Sequence, residues 1–168
     1  MTKILNKGKL LTCTLLFTFI CSQQLSGANP VDSTSHNNAL SIIGVGDIML
    51  GTNFPSPKYL PPDVMALLNP VNKELQDADV TFGNLEGALL DSGQLVKNCE
   101  DTTKCYAFRM PTSYIHPINC AGFDLISLAN NHSGDFGRKG RLSTIEALRS
   151  AGIHAGGLTS KPAVIFER

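Results

Sequence analysis

Three short, β-rich apolar runs each stop at a cluster of polar residues, and this arrangement constrains the fold more than any other feature. Leu40-Ser41-Ile42-Ile43-Gly44-Val45-Gly46 leads into Asp47. Ala78 to Asn84, with Val80 and Phe82 apolar, leads into Glu86. Asp124-Leu125-Ile126-Ser127-Leu128 leads into the loop Asn130 to Gly137. Short apolar runs bounded by glycine and polar residues are the pattern of buried strands.

Helical spacing fills the intervals. Val64, Leu67, Leu68, Val71 and Leu75 recur along 63–77, where Pro70 predicts a kink or two short helices. Pro111 and Thr112 open a helix expected to run to about Ala121 and to end at Gly122. A third is predicted over 138–151, with Leu142, Ile145, Ala147 and Leu148 inward and Gly152 as its stop. Further strands are expected at Ile153 to Gly156 and Ala163 to Phe166. Residues 87–110 read as a long loop with room for a hairpin around its two cysteines. Alternating strands and helices predict α/β architecture. Ligands of such sheets bind beyond the carboxyl ends of the strands, so the three polar clusters are expected to converge on one site.

The amino-terminal segment reads as an address. Lys3, Lys7 and Lys9 precede an apolar run from Leu10 to Ile20, which is shorter than the roughly 20 residues a bilayer-spanning helix needs. Ser26 and Ala28 supply the small residues of a cleavage site, so residues 1–28 are expected to be a secretory signal peptide. Residues 29–39 are a polar linker, and 40–168 form the domain. Cys21 leaves a second route open, lipidation. Membrane association would then come from an acylated Cys21 or an uncleaved signal. The expected location is exported: periplasmic, cell-surface or extracellular.

The whole chain has zero formal net charge, which excludes a broad basic field for nucleic acid. Its 42% hydrophobic and 17% charged residues exclude a disordered chain. Without the three amino-terminal lysines, 11 basic residues face 14 acidic ones. That mild acidity suits a site that collects cations. Export implies an oxidising compartment, and Cys99 and Cys105 bracket a polar stretch, so a local disulfide is expected between them. Cys120, in apolar surroundings, is expected to be a buried free thiol. His36, His116 and His154 read as surface or satisfied core residues.

The clusters carry specific chemistry. Gly46-Asp47-Ile48-Met49-Leu50-Gly51 offers one carboxylate. Gly83-Asn84-Leu85-Glu86-Gly87 offers a carboxamide and a carboxylate between glycines. Ser127-Leu128-Ala129-Asn130-Asn131-His132-Ser133-Gly134-Asp135-Phe136-Gly137 crowds two amides, an imidazole and a carboxylate behind a buried strand, which is costly unless those groups find partners. Oxygen and imidazole donors together suit manganese, iron or zinc. Two such ions can hold an attacking water and stabilise the leaving oxygen, while a histidine orients substrate or protonates the leaving group.

GDIMLG, GNLEG and SLANNHSGDFG, in this order, resemble the CapA family of capsule (poly-γ-glutamate) synthesis proteins, relatives of calcineurin-like metallophosphoesterases. The resemblance runs from about Ser41 to Arg168. It implies a partial four-layer α/β/β/α sandwich. It also implies that Asp47, Glu86 and Asn131 are metal ligands with Glu86 bridging two divalent ions, and that His132 is the catalytic histidine. Asn84, Asn130 and Asp135 would support the site. Arg109, beside Met110-Pro111, would contact an anionic substrate. Met49 stands where the wider superfamily has its first-motif histidine.

The resemblance further implies a second half with more histidines in a Gly-His-x-His-type motif. No such motif occurs in these 168 residues, so the chain is expected to be an amino-terminal fragment or truncated product with an incomplete metal site. Three readings follow: a metal-dependent hydrolase acting on an anionic surface polymer, a non-catalytic subunit that binds polymer or assembles with other capsule-machinery subunits, or an inactive truncated product.

Overall fold

A computed structural model describes residues 39–101 and 104–167. The signal segment, Cys21 and His36 lie outside these. The chain divides into two units, Met1–Ala39 and Leu40–Arg168, and every element below belongs to the second.

The strands are β1 (Ile42–Ile48), β2 (Val80–Leu85), β3 (Ala88–Leu89), β4 (Arg109–Met110), β5 (Leu125–Ser127) and β6 (His154–Gly156). The α-helices are α1 (Met65–Leu68), α2 (Asn72–Leu75), α3 (Ile115–Cys120) and α4 (Gly137–Ser150). β1, β2, β5 and β6 form one parallel sheet in the order β1-β2-β5-β6, and β3 and β4 make a small parallel pair. The expected α/β class is therefore observed. Pro70 divides the segment before β2 as anticipated: α1 and α2 flank a 3-10 turn over Asn69–Val71.

One sheet face is the core. Leu85 of β2, Ile126 of β5 and Ala155 of β6 are buried in one cluster with Ile115, Ile118, Ala147 and Leu148 of α3 and α4, and buried Thr81 of β2 donates its hydroxyl to the Leu75 carbonyl. Each large aliphatic side chain removed from water here contributes about 1.5–3 kcal/mol. The opposite face is far more open: Ile42 and Phe82 are 62% and 38% exposed. Val164 approaches Gly156 on that side, and Phe166 stacks on His154 with ring centroids 4.4 Å apart. One sheet with helices on one face corresponds to two layers of the expected sandwich.

Several expectations need correction. Ala163 to Phe166 is not a strand; it crosses the β6 margin through side-chain contacts instead of extending the ladder. The 87–110 segment does not make a hairpin, since β3 and β4 run parallel and the long connection returns before re-pairing. Leu142 is 50% exposed, because Gly140, Thr144, Ala147 and Leu148 set the buried stripe of α4. Cys120 is a free but exposed thiol: α3 buries Ile115, Pro117 and Ile118, and Cys120 falls on the outer side.

Two details aim the site. Between Gly44 and Asp47 the β1–β2 register slips by one residue, so Gly44 pairs with Phe82 but Asp47 pairs with Asn84. Gly87 turns the chain from β2 into β3 at φ 106°, where a β-carbon would sit 2.8 Å from the Phe108 carbonyl oxygen. Only glycine meets both demands.

Candidate active site

The site forms beyond the carboxyl ends of β1, β2 and β5, where the three motifs meet. Its centre is Asn84. The Asn84 Nδ2 amide donates to Asp47 Oδ1 at 2.7 Å and to Glu86 Oε1 at 3.0 Å. Its Oδ1 accepts from Asn130 Nδ2 at 3.0 Å, and the same Asn130 amide donates to the Leu85 carbonyl at 2.8 Å. A carbonyl only accepts, so Asn130 must present its NH2 there, and this fixes Asn84 with its own NH2 toward the carboxylates. Asn130 Oδ1 takes the backbone N–H groups of His132 and Ser133 at 3.0 and 2.8 Å, closing the tight turn that starts the third motif.

His132 completes the group. Its Nδ1 lies 2.8 Å from Asp135 Oδ2 and its Nε2 lies 3.9 Å from Glu86 Oε2. Lys97 Nζ also stands 3.4 Å from Nδ1, but the Asp135 contact is much the shorter, and an ionised carboxylate can only accept, so the Asp135 bond assigns the proton to Nδ1 and turns Nε2 toward Glu86. Phe108 lies against the imidazole, with ring centroids 4.3 Å apart. Asp135 has no exposed side-chain surface. It also accepts the Phe108 N–H at 3.0 Å, and its Oδ1 stands 3.3 Å from Lys97 Nζ. That last approach lacks hydrogen-bond alignment and acts as a charge contact. Lys97 further donates to the Tyr106 carbonyl at 3.0 Å.

Sequence reasoning missed Lys97. It sits in a stretch without periodicity, and only the fold brings it to Asp135, 38 positions later. The Cys99–Cys105 disulfide, with Cα atoms 5.7 Å apart, closes a loop that begins two residues after Lys97.

Asp47, Asn84, Glu86, Asn130, His132 and Asp135 thus converge. Asn131 does not join their hydrogen bonds. It is exposed and lines a neighbouring recess, while Asn130 takes the inward position. Arg109 is half-buried and engaged elsewhere. Its Nε donates to Asn53 Oδ1 at 2.6 Å and its Nη1 to the Gly93 carbonyl at 2.7 Å, and the guanidinium packs on Phe54 and Phe136.

The donors present match divalent ions in kind but not in number. Among the described residues neither Asp47 nor Glu86 pairs with lysine or arginine, so two carboxylates converge without a compensating cation. No three His, Cys, Asp or Glu side chains among the described residues stand close enough to share one ion. Asp47, Glu86 and His132 Nε2 therefore do not form a closed ligand shell among the described residues.

Residues 41–164 match the family model for bacterial capsule synthesis protein PGA_cap. The chain belongs to the PGA_cap family. It is similar to capsule biosynthesis protein CapA of Bacillus anthracis, with 30% identity over 119 residues, covering 70% of this chain and 28% of that protein. It is also similar to uncharacterized protein y4sH of Sinorhizobium fredii, with 29% identity over 131 residues, 74% of this chain and 26% of that one. This chain thus spans little more than a quarter of the length of either relative. All three motifs of the site lie within the segment matched by the PGA_cap model.

Proposed function

We propose that this chain supplies the Asp47–Glu86–His132 portion of a metal-dependent hydrolytic centre in a capsule synthesis protein, exported to the cell surface or periplasm and acting on an anionic surface polymer. One observation carries the reading: two carboxylates, unpaired by any described lysine or arginine, face the same carboxamide, with an oriented imidazole beside them. Asp47 and Glu86 would hold one or two divalent ions, of manganese, iron or zinc, with the remaining ligands contributed by residues beyond this group. Such ions supply an activated water and neutralise developing negative charge.

The chain's own residues act around that chemistry. The Asn130–Asn84 amide chain fixes the angle between the carboxylates. Asp135 holds the proton on His132 Nδ1, which leaves Nε2 free to take or deliver a proton at the reacting bond. Phe108 covers one imidazole face and keeps water from it.

The test is Mn2+ binding by calorimetry on the whole chain and on Asp47→Asn and Glu86→Gln, followed by incubation with poly-γ-glutamate. Saturable binding that both substitutions weaken at least tenfold supports the reading. Unchanged Mn2+ affinity in both variants refutes it. Polymer retention without chain cleavage would mark the protein as a holding subunit instead of a hydrolase.

A further inference from the structure

The loop that delivers His132 has a second side. Behind it, at the carboxyl ends of β5 and β6, lies an open recess of about 810 Å³. Asn131, Ser133, Arg141, Thr159 and Ser160 supply its polar lining, above Leu158. The recess contains no acidic residue. Arg141 is half-buried, yet among the described residues it makes no hydrogen bond and no ion pair. Its Nη1 lies 3.2 Å from the point where a β-carbon on residue 134 would sit, so Gly134 leaves the guanidinium its place. The Ser133 hydroxyl is spent on the Asn130 carbonyl at 3.0 Å. The side chains of Asn131, Thr159 and Ser160 have no partner among the described residues.

A guanidinium drawn partly out of water without a counter-charge is unfavourable, and an anion entering beside it reverses that cost. Its planar fork matches the paired oxygens of a carboxylate or phosphate. We propose that this recess is an oxyanion-binding subsite, in which Arg141 takes two oxygens of a carboxylate or phosphate group and Asn131, Thr159 and Ser160 donate to the acceptor positions left open. Asn131 then serves this recess, while its neighbour Asn130 serves the Asp47–Glu86 centre. One tight turn thereby joins two sites of opposite charge preference. An anionic polymer lying across the centre would place a neighbouring charged unit over Arg141. That extension rests on the function proposed above; the anion site itself does not.

The experiment uses the whole chain in metal-free buffer at fixed ionic strength, titrated with inorganic phosphate and separately with glutarate while backbone amide resonances are followed. Saturable shifts at Asn131, Ser133, Thr159 and Ser160 are expected for at least one probe, and the tighter probe tells phosphate from carboxylate. Arg141→Ala should weaken that binding at least tenfold, Arg141→Lys less, and Gly134→Ala, whose methyl meets Nη1, should also weaken it. No saturation with either probe, saturable shifts confined to other residues, or equal affinity in Arg141→Ala would each overturn the proposal. The wild-type shift map needs no variant to fold. Asp47→Asn should leave anion binding intact, so loss of Mn2+ affinity and loss of anion affinity fail separately.

Discussion

Replacing Asp135 with alanine is expected to destabilise the protein by about 3 kcal/mol. The Asp135 carboxylate is wholly buried and serves three groups: the Phe108 N–H at 3.0 Å, His132 Nδ1 at 2.8 Å and Lys97 Nζ at 3.3 Å. Removing one member of a buried, charge-assisted set costs about 3–5 kcal/mol when the remaining groups are trapped. Lys97 keeps a quarter of its side-chain surface exposed and can swing into water, so its share is discounted. The stranded Phe108 N–H, the lost imidazole bond, at about 1.5–3 kcal/mol for a charged hydrogen bond, and the vacated volume remain. For a domain of this size the result is a fall in Tm of about 10–15 °C.

Asp135→Asn keeps an oxygen for the Phe108 N–H and should lose only about 1–2 kcal/mol. Urea unfolding followed by circular dichroism measures both. A loss below about 1 kcal/mol for alanine would show that the carboxylate does not hold the loop. Equal losses for alanine and asparagine would assign the effect to charge and not to the backbone bond.

Other outcomes are equally definite. Asp91 receives the backbone N–H and the hydroxyl of Thr112, and these bonds hold its carboxyl below the ordinary value of 3.8. Its contribution is therefore present above that value and lost as pH falls through the depressed one; Asp91→Ala should cost about 0.5–1 kcal/mol at neutral pH, water screening this exposed pair, and the difference should shrink in urea melts as pH falls below 3.8. Buried Thr144 accepts the Leu89 N–H at 2.9 Å, so Thr144→Val should lose about 1–3 kcal/mol in the same melts, with serine recovering most of it. Peptide mass mapping after maleimide treatment should find Cys120 labelled in the folded protein, and Cys99 and Cys105 labelled only after reduction.

The sequence carried the sheet and the meeting of its three polar clusters because strand ends announce themselves locally, through apolar runs that stop at glycine or asparagine. It set Asn131 among the ligands and Asn130 in support, whereas the fold gives the contact with Asn84 to Asn130. Adjacent residues point to different sides of a turn, and only the acceptor position of the Leu85 carbonyl decides which amide faces inward. Lys97 was invisible for the opposite reason: its partner is remote in the chain and its own neighbourhood has no pattern. The β3–β4 pairing is likewise a long-range contact of two residues per strand, too brief to leave a periodicity. Arg109 looked available beside its proline, but Asn53 and two phenylalanine rings from other segments engage it.

The single-residue slip in β1 behaves like a reading frame set in three dimensions. Side chains along a strand alternate between faces, and Ile43 and Val45 point to the core. Unbroken alternation would send Asp47 after them and leave Ile48 in water. The extra residue before Asp47 changes the parity, so that Asp47 stands beside Asn84 while Ile48 returns to the interior at 5% exposure. Deleting Gly46 would restore even counting. Asp47 would then follow Val45 directly and still face outward, with Ile48 inward, so Gly46 is the surplus residue that the slip absorbs while the acidic group and the core isoleucine keep their sides.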